Sequence, residues 1–148
     1  MISENSTKAE VLEAIEKESD AFFYASDELR GDRGIMLEAI KQQASMLEHA
    51  TEALQNDRDI VMAAVKRDGD ALRYASKELR ADRDIVMAAV ENRVDALYWA
   101  SDELRGDREL LREAMNSNFN ALRYVGYDLL YEVADCWAEA FDKEVKND

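Results

Sequence analysis

Very little in this chain is equipped for covalent or metal chemistry. It holds one cysteine, Cys136, and one histidine, His49, so neither an internal disulfide nor a multi-cysteine metal site is available to it. No Ser/His/Asp or Cys/His grouping and no glycine-rich phosphate loop accompanies them. The expectation is therefore a protein that is not an enzyme and uses no cofactor, with Cys136 a small core residue rather than a nucleophile. No stretch approaches the roughly 18 uninterrupted apolar residues of a membrane-spanning helix. The opening MISENSTKAE also lacks the basic-then-apolar pattern of a secretory signal, which points to the cytoplasm.

Positive charge is scarce as well. Lys and Arg number 19 against 33 Asp and Glu, a net −14, and such a field opposes nucleic-acid backbones and anionic membranes. The partner this favours is a basic protein, with no direct nucleic acid and no membrane. The acids form no solid run, however, and residues 70-94 are neutral as a block. What the chain does have is 47% apolar and 35% charged residues over 148 positions, enough for a single domain, 1-148, with a continuous core.

The organising feature is an internal repeat, which decides architecture before any local pattern does. Asp20 begins DAFFYASDELRGDRGIMLEAI, Asp70 begins DALRYASKELRADRDIVMAAV and Asp95 begins DALYWASDELRGDRELLREAM, while Ser45 opens the weaker SMLEHATEALQNDRDIVMAAV. Their 25-residue spacing divides the chain into a half-unit 7-19, repeats 20-44, 45-69, 70-94 and 95-119, and a divergent C-terminal cap 120-148.

Each unit reads as two helices. The first starts at Asp20, Ser45, Asp70, Asp95 or Asn120 as an N-cap, and the second at Asp32, Asp57, Asp82 or Asp107. Gly31, Asn56 and Gly106 before the second cap favour a left-handed stop, with Ala81 the exception. Helices of about ten residues are ~15 Å long and marginal alone, so their apolar stripes must be buried by stacking. In the third unit the stripes are Ala71, Leu72, Ala75, Leu79 and Ile85, Val86, Ala89, Val90. The predicted fold is all-α, an α-solenoid of tandem 25-residue two-helix repeats with a long C-terminal capping helix. Thr7 and Glu10 form a capping box at the start. The closing helix spans about 121-145, bent near Gly126, and its apolar face could pair two chains as a homodimer.

Two columns stand out as candidate sites. Tyr24, His49, Tyr74, Trp99 and Tyr124 recur once per unit and would form a ridge, and Tyr and Trp are enriched where interfaces concentrate their energy. Packing between layers explains the same column without function, and His49 alone could lend it pH sensitivity. Arg33, Arg58, Arg83 and Arg108, with Arg30, Arg80 and Arg105, place cations where the helix dipole opposes them, so a compensating pairing is expected. Glu28, Glu78 and Glu103 are the obvious partners, in a salt-bridge ladder between neighbouring units; a guanidinium row for an acidic peptide or phosphate is the functional alternative. The triplets Asp57-Arg58-Asp59, Asp82-Arg83-Asp84 and Asp107-Arg108-Glu109 lack the spacing and turn glycine of a calcium loop, so no metal is expected.

The string carrying Ala71, Leu72, Tyr74, Ala75, Leu79, Asp82, Val86, Ala89 and Val90 resembles a short bacterial repeat family, domain of unknown function forty-one sixteen. The resemblance runs to about Asn120, residues 127-148 depart from it, and the family carries no assigned activity to transfer. Two functional readings follow. One is a non-catalytic protein-protein interaction or scaffold repeat module. The other is an acidic inhibitor, of immunity, anti-defence or DNA-mimic type, that binds a basic or nucleic-acid-binding protein.

Overall fold

The computed structural model describes residues 2–117, so the predicted cap 120-148, Tyr124 and Cys136 lie outside the described residues. Among those described, every regular element is helical. Five ten-residue α-helices recur: α1 Lys8–Lys17, α3 Arg33–Gln42, α5 Arg58–Arg67, α6 Arg83–Asn92 and α8 Arg108–Ser117. Their first residues follow one another at intervals of 25, and each helix packs against the next. No helix among the described residues is long and apolar enough to cross a membrane.

The long helices form where the sequence places them because one aspartate starts each. The Asp32, Asp57 and Asp82 side chains accept hydrogen bonds from the amides two and three residues on, satisfying donors that a helix start leaves unpaired. Thr7 and Glu10 make the capping box of α1. The long helices after the first then bury positions i, i+1, i+4 and i+5, such as Ile35, Met36, Ala39 and Ile40 in α3 and Ile60, Val61, Ala64 and Val65 in α5, whereas α1 buries only Val11 and Ile15. These stripes join one core running from Val11 to Met115. A side chain such as Ile60, with none of its surface exposed, contributes about 1.5–3 kcal/mol by leaving water.

The first half of the unit is not the ten-residue α-helix expected. It is a six-residue 3-10 helix, Ser19–Tyr24, Ala44–His49, Gly69–Tyr74 or Val94–Trp99, followed by a separate short turn. That turn is α2 Asp27–Arg30, α4 Glu52–Gln55 or α7 Asp102–Arg105, and in the third unit a 3-10 turn, Leu79–Ala81. Ala25 and Ser26 break the helix by adopting extended backbone. Ser26, Thr51, Ser76 and Ser101 then turn their hydroxyls onto the amides of Leu29, Leu54, Leu79 and Leu104 and start the turn anew. Ser76 N–H and Ser101 N–H also donate to the carbonyls of Gln55 and Arg80, tying each break to the unit before it.

Two smaller expectations are corrected with it. Asp20, Ser45, Asp70 and Asp95 are not caps, because the extended residue at each 3-10 start lies two positions earlier, at Glu18, Gln43, Asp68 and Arg93. Nor is a left-handed residue used before the second cap. Gly31 has φ −82° and Gly106 φ −95°, both ordinary right-handed values, so Ala81 meets the same requirement without exception. One glycine does answer a close approach. A Cβ on Gly69 would stand 2.3 Å from the backbone oxygen of Ala89, where the 3-10 start meets the carboxyl end of α6.

Candidate functional site

The 3-10 helices do for the aromatic column what a longer α-helix would not. Tyr24, His49, Tyr74 and Trp99 are each the last residue of one, and the chain turns extended immediately after. The residues one and two positions earlier in the first unit split between core and solvent, with Phe22 fully buried and Phe23 40% exposed. Tyr24 is 63% exposed and His49 is exposed, while Tyr74 and Trp99 are half-buried against the core. None of the four is a core residue.

The position before each of these was not singled out from sequence, yet it belongs to the same edge. Phe23, Glu48, Arg73 and Tyr98 face outward beside the column, and Tyr98 is 59% exposed. The Phe23 ring meets the His49 ring edge-on at 4.7 Å, linking two successive units. Tyr98 meets Trp99 in the same geometry at 4.9 Å. Arg73 lies 4.4 Å above the Tyr74 ring centroid and donates to its hydroxyl. Neighbouring 3-10 helices pack on one another from Ala44–His49 through Gly69–Tyr74 to Val94–Trp99, so these pairs form a row.

The arginine column is employed elsewhere. Arg33 Nε donates to Asp57 Oδ2 at 2.8 Å and its Nη2 to Asp59 Oδ2 at 2.6 Å; Arg58 repeats this with Asp82 and Asp84 at 3.1 and 2.7 Å. Lys8 takes the same place before Asp32, at 2.7 Å. The partners are thus the caps of the following helix and not Glu28, Glu78 or Glu103. Each aspartate gives Oδ1 to its own helix amides and Oδ2 to the cation one unit earlier, and Asp57 Oδ1 accepts in addition from Arg33 Nη2 at 3.5 Å. A cation in the first turn, unfavourable against the dipole by itself, is held by a carboxylate that the next helix needs anyway.

The ladder's electrostatics follow. Hydrogen bonds from Lys8 and from Arg33 hold the Asp32 and Asp57 carboxyls below the ordinary aspartate value. At Asp82 burial pushes upward, and the Arg58 hydrogen bond with two backbone amides outweighs it, leaving that carboxyl low too. At the next junction the pattern shifts, with Arg83 Nη1 reaching Glu113 at 3.2 Å. Arg30 and Arg105 pair with Asp27 and Asp102 inside their own short turns. The Asp57–Asp59 and Asp82–Asp84 triplets are therefore spent on caps and ion pairs, and no group of three or more potential metal ligands gathers among the described residues.

The family described as Domain of unknown function (DUF4116) matches this chain three times, over residues 11–55, 32–80 and 82–130. No curated protein and no solved structure matches it.

Proposed function

This chain belongs to the DUF4116 family, and from that premise we propose that it is a non-catalytic protein-binding repeat, an α-solenoid of 25-residue units. It takes its partner along the row of 3-10 helix ends. The observation that carries this is the contrast between scaffold and edge. Caps, stripes and ladder recur from unit to unit, whereas the outward pair changes from Phe23-Tyr24 to Glu48-His49, Arg73-Tyr74 and Tyr98-Trp99. Large aromatic side chains left in water at the same place in the first and fourth units, Phe23, Tyr24 and Tyr98, are the material from which protein interfaces draw their anchors.

The acidic-inhibitor reading draws on the net charge of −14. Its most regular carboxylates, Asp32, Asp57 and Asp82, already serve caps and cations, which weighs toward recognition by side-chain shape over mimicry of a phosphate row. The test is selection of a displayed random-peptide library on the folded chain, with counter-selection on a Tyr24→Ala/Tyr98→Ala variant. Recovery of sequences that bind only the unmodified edge is the expected result. If every recovered sequence binds both proteins equally, the edge is not the binding site.

A further inference from the structure

The chemistry of the edge specifies its occupant more narrowly, on the reading that this edge binds protein. We propose that it takes an extended protein segment carrying two clusters of arginine or lysine, one for each end of the described row. Across the four stretches 23–28, 48–53, 73–78 and 98–103, seven carboxylates stand against two cations, and the two cations, Arg73 and Lys77, both belong to the third stretch. The ends are therefore acidic and aromatic together. Along the chain Glu28 follows Phe23 and Tyr24 at one end and Glu103 follows Tyr98 at the other, all exposed. Asp27 and Asp102 also lie here, each answered by an arginine of its own turn.

A cation with a planar, weakly hydrated head satisfies both features of such a place, since it stacks on a ring face and pairs with a nearby carboxylate. The molecule contains its own instance. Arg73 stacks on Tyr74 at 4.4 Å in the third unit, which fills that ring from within and sets a positive charge opposite the middle of any bound segment. Recognition of cations is thereby confined to the two ends. Packed helices step by roughly 8–10 Å, so three steps from the first unit to the fourth span roughly 27 Å. Extended chain covers that distance in about eight residues. The segment read by this edge thus has two basic clusters about eight residues apart, with uncharged or acidic residues between them.

Fluorescence anisotropy with three labelled peptides tests this: RRASASASASRR, the compact isomer RRRRASASASAS, and EEASASASASEE. The spaced peptide is expected to bind at least tenfold more tightly than either of the others. Tyr24→Ala and Tyr98→Ala should each weaken it about tenfold, and Glu28→Gln and Glu103→Gln should weaken it in the same direction. Circular dichroism on each variant verifies that the fold is retained. Equal binding of the compact or the glutamate peptide, unchanged binding by both tyrosine variants, or no binding of any peptide would overturn the proposal. The library selection separates this failure from a broader one. Edge-dependent sequences without cations would sink the basic segment and leave the binding edge standing, whereas an absence of edge-dependent sequences would remove both.

Discussion

The helix starts and the 3-10 ends of this molecule repeat at the same interval and obey different rules. At the helix starts Asp57-Arg58-Asp59 and Asp82-Arg83-Asp84 are the same tripeptide, because each aspartate must cap its own helix and hold the preceding unit's cation. At the 3-10 ends, 25 residues separate an aromatic pair from Glu48-His49 and another 25 bring Arg73-Tyr74. Stacking constrains the first region from two sides, its own unit and the next. Solvent constrains the second from one side only. Identity among units thus marks where the structure is held together, and variation marks the edge at which the proposed function places the partner.

The largest way to break the comparison is in the stripe that both regions share. Ile60→Ala removes a side chain with no exposed surface and should destabilise by about 2–5 kcal/mol, measured as a shift in the urea midpoint at unchanged slope. Gly69→Ala forces a methyl group to within 2.3 Å of the Ala89 oxygen, and backbone must move to admit it. The expected loss is about 1–3 kcal/mol, although nothing apolar is removed.

The ladder gives the next effect and the means to dissect it. Asp57→Ala loses the cap of α5 and should cost about 1–2 kcal/mol, while Asp57→Asn keeps an acceptor for the cap, loses the charge facing Arg33, and should cost less. The aspartate values are depressed in the folded state. Their contribution is therefore complete above the ordinary aspartate value of 3.8 and is lost as pH falls from there through the lowered folded values. Acid titration of thermal stability should show that loss in the parent chain and a shallower one in Asp57→Asn. A smaller effect is a gain. Gly34 occupies the place of Asp59 and Asp84, so Lys8 has Asp32 alone where Arg33 and Arg58 each have two carboxylates. Gly34→Asp should raise stability by about 0.5–1 kcal/mol by restricting the unfolded chain and placing an acid in the first turn of α3.

Much of the first region was legible in the sequence, since a cap is defined by one side chain and the amides beside it. Asp32, Asp57 and Asp82 needed no tertiary information. The partners of Arg33 and Arg58 did, because nothing local reveals that a residue 24 positions away lies closer than Glu28. The 3-10 helices were hidden by their own burial. Ala71, Leu72, Ala75 and Leu79 have helical spacing and are all buried, so the break at Ala75 leaves no gap in the apolar pattern. The signal that could have shown it was the hydroxyl column Ser26, Thr51, Ser76 and Ser101, an N-cap series at the repeat interval. Tyr24, His49, Tyr74 and Trp99 were visible because all four carry an aromatic ring, phenol, imidazole or indole. Their neighbours Phe23, Glu48, Arg73 and Tyr98 change from aromatic to acidic to basic and back to aromatic, and so formed no column.

The division between a stabilising region and a recognising one is tested most directly by the urea midpoint of the chain bearing Tyr24→Ala and Tyr98→Ala together. Both rings are mostly in solvent, and each substitution should change stability by no more than about 0.5 kcal/mol. The account predicts a midpoint and slope close to those of the parent, with edge-dependent peptide binding lost. A midpoint lowered as far as that of Ile60→Ala would place these tyrosines among the residues that hold the repeat together and contradict it.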